Sequence, residues 1–312
     1  MVRGRMAAAR TRLAFVGQTT FFAACALGDE HPGFETRFVE FRAGGDADRL
    51  MAELDAFAPH VVLVFRPEIV PAGLFAGLRA TTLGFLTEPI PRTAPGTAHP
   101  DLQRRLGELR QVDAGNFDRI VSFDPMIAPT SAAAGLPVWR SVPLPVADHF
   151  YAPVRDLHGR PKVIFSGRGT AHRQALLDPV KDRFEVLHLA FGLADRELGE
   201  LMEQHDVGVN LHDEPYPSYE NRVSTYLAGG LLVISEPLSP EHGLEVGLDY
   251  LVADSAAGLL EHLERMARFP GVFHAVRVRG RRKAELFRAS RIYPRLVADL
   301  RADVAAFGTQ RS

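Results

Sequence analysis

The densest set of chemically capable side chains lies between residues 206 and 235. Residues 206–211 read as a buried strand, 212–218 as a polar loop and 219–228 as a short helix. Gly229 and Gly230 then turn the chain into a second apolar run, 231–235. His212, Glu214, Ser218, Tyr219, Glu220, Asn221, Arg222, Ser224 and Thr225 crowd the loop and the first turns of the helix. A parallel α/β sheet binds ligands at such a place, outside the carboxyl ends of its strands and at helix N-termini. Tyr219, Val223, Tyr226, Leu227 and Gly230 share one helical face that would pack on the sheet, leaving Glu220, Asn221, Ser224 and Thr225 on the others. Ser218, behind Pro217, is suited to cap the helix, and free N–H groups of its first turn together with Arg222 could hold a diphosphate. A capped surface helix without a ligand satisfies the same pattern.

A second constellation is Gly167, Arg168 and Gly169. It follows the apolar strand 162–165 and precedes a helical run that contains Arg173. Glycines let a backbone approach phosphate closely, and arginine supplies the charge. An ordinary βα turn has the same spelling.

The elements that must position these groups alternate along the chain. Candidate strands are 13–16, 36–41, 60–65, 81–86, 119–123 and 138–142, with helical spacing at 46–57 and 102–112. A second set of strands covers 162–165, 184–189, 207–211, 231–234 and 250–252, with helices at 174–182, 195–204, 219–228 and 256–268. Short apolar strands separated by helices argue for βαβ units in parallel, doubly wound sheets. The chain has 312 residues, which implies two α/β domains. Their junction falls in the proline-rich stretch 143–153, giving domains at 12–150 and 151–290 and a terminal helix over 291–312. Residues 94–99 read as a surface loop.

Composition narrows the classes. A formal net charge of −2 gives no electrostatic case for nucleic acid as a partner. Cys25 is the only cysteine, so neither an intrachain disulfide nor a cysteine zinc site can form, which suits a reducing cytoplasm. Arg3, Arg5, Arg10 and Arg12 interrupt the N-terminus and make it a poor signal peptide. No apolar run approaches the ~18 residues of a transmembrane segment. Arg277, Arg279, Arg281, Arg282 and Lys283 read first as a solvated helix face, with peripheral contact to an anionic membrane surface as the alternative. Ser290 is suited to cap the last helix, with Pro294 near its start.

Four segments carry a family resemblance. Ala228, Gly229 and Gly230 followed by the apolar run 231–235 resemble the donor-site segment of group 1 glycosyltransferases. Residues 144–153 resemble the family's interdomain linker, 163–169 the strand and glycine turn that open its donor domain, and 287–296 its terminal helix. Asn221 and Arg222 before the donor helix are similar to the spore-maturation-protein-like (CgeB-like) branch. The resemblance implies the GT-B architecture: two Rossmann-like domains with parallel sheets across a central cleft, the terminal helix packing back on the N-terminal domain. It implies a nucleotide-diphosphate sugar (UDP-, GDP- or dTDP-linked) as substrate, held by Gly167, Arg168, Gly169, Arg173, His212, Tyr219, Glu220, Asn221, Arg222, Ser224 and Thr225. Gly17, Gln18, Thr19 and Thr20 would form an acceptor-side loop. Domain closure would then exclude water from the reaction. The acceptor, whether small molecule, glycan or protein, is not specified. The sequence departs from the family at Pro217 and Thr225, where the pattern places glutamates that bind donor hydroxyls; Glu214 and Glu220 are nearby substitutes.

Transfer with inversion needs a general base for the acceptor hydroxyl. Glu88, fixed between apolar strand and prolines, is the first candidate, and Asp124 the second; both follow strands of the N-terminal domain. A solvated or capping acid is the alternative for each. No metal or other cofactor is expected. The only Asp-x-Asp spelling, Asp46 and Asp48, opens a helix whose N-terminal dipole it would complement. Other readings of the same chain are a non-catalytic nucleotide-binding or partner protein and a sugar-nucleotide epimerase.

Overall fold

The structure is a computed structural model that describes residues 10–90, 101–157, 159–190, 195–214 and 217–311. The loop expected over 94–99 and the arginines at positions 3 and 5 lie outside them. The described chain divides into two compact bodies.

The first body is built on six parallel strands: β1 (Thr11–Gly17), β2 (Phe34–Glu40), β3 (Val61–Phe65), β4 (Thr81–Leu86), β5 (Arg119–Ser122) and β6 (Arg140–Ser141). Their order is β2-β1-β3-β4-β5-β6. Every residue of β3 is buried, as expected of a central parallel strand covered on both faces, whereas the edge strand β2 has polar residues exposed in alternation. The helices are α1 (Thr19–Phe22), α2 (Ala47–Phe57), α3 (Leu102–Gln111) and α4 (Ala128–Ala133). Asp46 caps α2, accepting a bond from the Arg49 N–H at 3.0 Å. Leu50, Leu54 and Phe57 place its i, i+4, i+7 stripe in the core.

The second body has five parallel strands: β7 (Val163–Ser166), β8 (Val186–Leu189), β9 (Val207–Asn210), β10 (Leu232–Ser235) and β11 (Leu251–Val252), ordered β11-β10-β9-β7-β8. Its helices are α5 (Ala171–Lys181), α6 (Asp195–Met202), α7 (Arg222–Ala228), α8 (Ala256–Arg268) and α9 (His274–Lys283). Ser255 caps α8, and Leu259, Leu263 and Met266 bury its apolar stripe. In both sheets the winding direction reverses next to the first strand, between β1 and β3 and between β7 and β9. At such a reversal the two following loops part and leave a crevice at the carboxyl ends.

The last helix, α10 (Ala289–Phe307), belongs to the first body. The Tyr293 ring meets Phe15 edge-on, with centroids 4.9 Å apart, and its hydroxyl donates to the Cys25 carbonyl at 2.5 Å. Arg119 pairs with Asp303 and Arg140 with Asp299. α10 starts at Ala289, so Ser290 lies inside its first turn instead of capping it.

The boundary between bodies falls at Pro143 and Leu144, not at 150 and 151. The proline-rich stretch is tied to the second body. Val146 N–H donates to the Phe287 carbonyl at 2.7 Å, and the Tyr151 hydroxyl donates to the Ala284 carbonyl at 2.7 Å. The basic run is not a free solvated face either. Arg277 is buried and donates to the Gly230 carbonyl, Arg279 pairs with Asp249 and Glu245, Arg281 with Glu285, and Lys283 with the Gly243 carbonyl. Among the described residues no helix is long and apolar enough to cross a membrane.

Candidate functional site

The reversal of the second sheet gathers the site. β7 ends at Ser166 and passes into Gly167, while β9 ends at Asn210 and passes into Leu211, His212 and Asp213. Thr170 caps α5 by accepting from the Arg173 N–H at 3.3 Å, which sets Arg173 in the first turn. The Arg173 side chain is buried (3% exposed) and points back over the strand ends. Its Nε donates to the Leu211 carbonyl at 3.1 Å, and its Nη1 to the Arg168 carbonyl at 3.0 Å and to Asp213 Oδ1 at 3.1 Å. Arg222, at the start of α7, donates from Nη1 to Asn210 Oδ1 at 2.8 Å and to the Leu211 carbonyl at 3.2 Å.

The two guanidinium groups converge on Gly167. A β-carbon there would stand 3.3 Å from Arg173 Nη1 and 3.3 Å from Arg222 Nη2, so only glycine leaves both side chains undisturbed. The Phe165 ring lies 5.4 Å from one guanidinium carbon and 5.5 Å from the other. Burial pushes Arg173 down to about 10, and the positive charge of Arg222 pushes the same way. The Arg222 Nη2 is 3.6 Å from Glu220, beyond hydrogen-bond length. Two like charges held together out of water favour an added anion, which would relieve both the repulsion and the desolvation.

Asp213 was not singled out by the sequence. It answers the clustered charge: Oδ1 accepts from Arg168 Nε at 3.0 Å as well as from Arg173, and Oδ2 accepts from Arg168 Nη2. The hydrogen bond from Arg168, ahead of the charge of Arg173, holds its carboxyl below the usual carboxylate range.

The other donor-side candidates divide. His212 is buried, with Nε2 2.8 Å from the Pro237 carbonyl and Nδ1 3.0 Å from Ser218 Oγ. A carbonyl only accepts, so Nε2 carries the hydrogen and the Ser218 hydroxyl donates to Nδ1. Burial lowers the His212 pKa below 6.5 and keeps the ring neutral. Its backbone N–H donates to Glu236 Oε2 at 2.7 Å, and Glu236 Oε1 meets His172 Nε2 at 2.8 Å. Both ring nitrogens and the backbone N–H of His212 are therefore engaged within the chain, bracing the loop.

α7 begins three residues later than the spacing implies. Ser218 pairs its backbone with Leu238 and its hydroxyl with His212, so it is not the cap; Asn221 takes the capping position, without a capping bond from its side chain. Val223 through Ala228 are all buried, so Ser224 and Thr225 do not lie on an outer face. Ser224 bonds the Tyr219 hydroxyl, and Thr225 Oγ1 donates to the Asn221 carbonyl at 3.2 Å. Tyr219 is likewise buried, which raises its hydroxyl pKa. Gly167, Arg168, Arg173 and Arg222 thus come together with Asp213; Glu220 stands beside them, Gly169 lies against Gln174 and His188, and Tyr219, Ser224 and Thr225 are buried and bonded among themselves and to the Asn221 carbonyl.

In the first body, Gly17 and Gln18 lead from β1 into α1. Thr19 N–H donates to Glu40 Oε2 at 2.6 Å, at the end of the neighbouring strand β2. Glu88 is not a free acid: it forms an ion pair with Arg105, which also bonds Asp101 at 3.0 Å. With Glu68, Thr87 and Glu108 it lines a cavity of about 20 Å³, room for a water-sized group. Asp124 is buried and accepts from the Met126 N–H at 2.9 Å, shaping the turn after β5. Among the described residues no cluster of three or more His, Cys, Asp or Glu is arranged to hold a metal.

No family model matches the chain, and no curated relative matches it. Solved structures do resemble it. The Anabaena protein HepE in complex with UDP-glucose superposes with a TM-score of 0.63 at 12% identity, over 94% of this chain and 100% of HepE. Sucrose-phosphate synthase from Thermosynechococcus elongatus gives 0.60 at 11% identity, over 95% and 100% of the two chains. A UDP-N-acetylglucosamine 2-epimerase candidate from Listeria monocytogenes gives 0.55 at 13%, over 97% and 98%. At these identities the likeness is one of fold. The chain has the α/β architecture of two Rossmann-like domains that the GT-B resemblance implies.

Proposed function

We propose that the protein is a glycosyltransferase that takes a sugar from a nucleoside-diphosphate donor and passes it to an acceptor hydroxyl without a metal or other cofactor. The observation that carries this reading is the pair of guanidinium groups, Arg173 and Arg222, brought to Gly167 at the reversal of the second sheet. A diphosphate placed there would take donors from both arginines and from Arg168. As the glycosidic bond to the phosphate breaks, charge grows on the leaving diphosphate, and fixed cations in a partly dry site stabilise that growth. Two of the solved structures that share the fold are described with UDP-glucose or as a sucrose-phosphate synthase, which supports a sugar-nucleotide ligand. Asn221 and Arg222 support assignment to the spore-maturation-protein-like branch.

Glu88 is the candidate base and Asp124 the second, at the ends of neighbouring strands β4 and β5 of the first body. To act, Glu88 has to leave Arg105 in part, freeing a carboxylate oxygen for the acceptor proton. That engagement, and the Asp124 side chain's place in a turn, favour a second reading: a protein that binds the nucleotide and catalyses no transfer. Calorimetry and turnover with a panel of UDP-, GDP- and dTDP-sugars separate the two. Binding with release of nucleoside diphosphate supports the transferase; binding without turnover for any acceptor supports the second reading. If no nucleotide binds, both are wrong.

A further inference from the structure

We propose that Asp213 is an internal stand-in for a phosphate: its carboxylate holds Arg168 and Arg173 and must yield them when a diphosphate binds, so Asp213 sets the affinity and charge selectivity of the site. The inference rests on the donor-site reading above and deepens it.

The geometry is that of an anion on a two-arginine cradle. Arg168 meets the carboxylate with Nε and Nη2, the two-pronged arrangement in which a guanidinium grips a carboxylate or a phosphate alike. Arg173 Nη1 reaches the same Oδ1 from the buried side at 3.1 Å. The carboxylate therefore occupies donors that an incoming phosphate needs.

The backbone that presents it is fixed. The His212 N–H is held by Glu236 and its ring by Ser218 and Pro237, and the Asp213 carbonyl accepts from Thr170 Oγ1 at 3.1 Å. The head is less firmly held. The Asp213 side chain is 36% exposed and that of Arg168 60%, and an exposed ion pair contributes little net free energy, so exchange for a better anion is inexpensive. A monoanion replaces one carboxylate with a similar group and gains little. A diphosphate carries more charge and spans to Arg222, whose Nη2 lies close to Gly167 and beyond hydrogen-bond length of Glu220. Asp213 thus filters ligands by charge.

The test is calorimetry on the full chain with UDP, inorganic pyrophosphate, inorganic phosphate and uridine, comparing the wild type with Asp213→Asn. Thermal melts establish that each protein is folded, and Asp213→Ser serves as a second neutral variant. The expected result is about tenfold tighter binding of UDP and pyrophosphate in the neutral variants, unchanged uridine, and a smaller ratio of pyrophosphate to phosphate affinity. Pyrophosphate binding that appears only in the neutral variants also supports the inference. Equal or weaker UDP binding in folded neutral variants overturns it and makes Asp213 a positioning residue for Arg173, leaving the donor site intact. Absence of UDP and pyrophosphate binding in every protein overturns both the inference and the donor site beneath it.

Discussion

The ring of Tyr226 fills the space that a side chain at Gly208 would need. A β-carbon at position 208 would lie 2.3 Å from Tyr226 Cδ2, an impossible contact. The Tyr226 hydroxyl meanwhile accepts from the Ser166 N–H at 2.9 Å, so one side chain keys α7 to both β9 and the end of β7. Arg222, on the first turn of α7, owes its place at Gly167 to that fit. Gly208→Ala should destabilise the protein by about 1–3 kcal/mol through overpacking. It should also weaken UDP binding, because Arg222 moves with the helix. Chemical denaturation and calorimetry on the same variant check the two effects together.

Arg173→Gln and Arg222→Gln should each weaken UDP binding by roughly tenfold or more, since each removes a charge and at least one donor to the diphosphate. Lysine at either position should recover only part of the affinity, because an ammonium lacks the planar fork with which a guanidinium grips a phosphate while bonding the neighbouring carbonyl. Arg173 also bonds the Leu211 and Arg168 carbonyls, so its variant should melt lower than that of Arg222 if its bonds to both loops matter to the fold. Calorimetry beside thermal melts distinguishes the two contributions.

His212 gives the fold a pH dependence of known sign. Burial lowers its pKa in the folded chain below the ordinary 6.5, while Glu236 opposes that shift. The unfolded chain then takes up a proton that the folded chain refuses. Stability is unaffected by this group well above 6.5 and falls as pH drops from 6.5 toward the depressed folded value. His212→Gln should flatten the drop in Tm between about pH 7 and pH 5, even though the variant is less stable at neutral pH. Equal slopes in the two proteins would show that His60, which is also lowered, dominates instead.

Glu88→Gln should reduce sugar transfer by about 10²–10⁴-fold if Glu88 is the base, with UDP affinity unchanged because the proposed diphosphate cradle is built from second-body residues. Turnover that survives the substitution transfers the role of base to Asp124.

Where a segment's structure is decided by its own side chains, the sequence was a good guide. The β-branched and aromatic runs of β3 and β4 and the Ser255-capped stripe of α8 form where their spacing places them. Where the partner arrives from elsewhere in the chain, it was not. Ser218 has every local mark of a helix cap, yet Leu238 and His212 claim its backbone and hydroxyl. Arg279 and Lys283 sit at the spacing of a solvated stripe, yet the loop holding Gly243, Glu245 and Asp249 folds against them. The site divides in the same way. Gly167, Arg173 and Arg222 stand out as a glycine turn with nearby charge, whereas Asp213 and Glu236 acquire meaning only once β7, β9 and β10 lie side by side.

The assignment of α10 to the first body bears on how the chain is born. Among the described residues, the second body is drawn from the stretch Leu144–Arg288, while the first takes segments from both sides of it. A ribosome delivers Arg288 before Tyr293, Asp299 and Asp303 exist. The second body can therefore finish folding while Phe15, Arg119 and Arg140 still lack their partners. The body that comes first along these residues is therefore the last to be completed, the reverse of the usual order of maturation during synthesis.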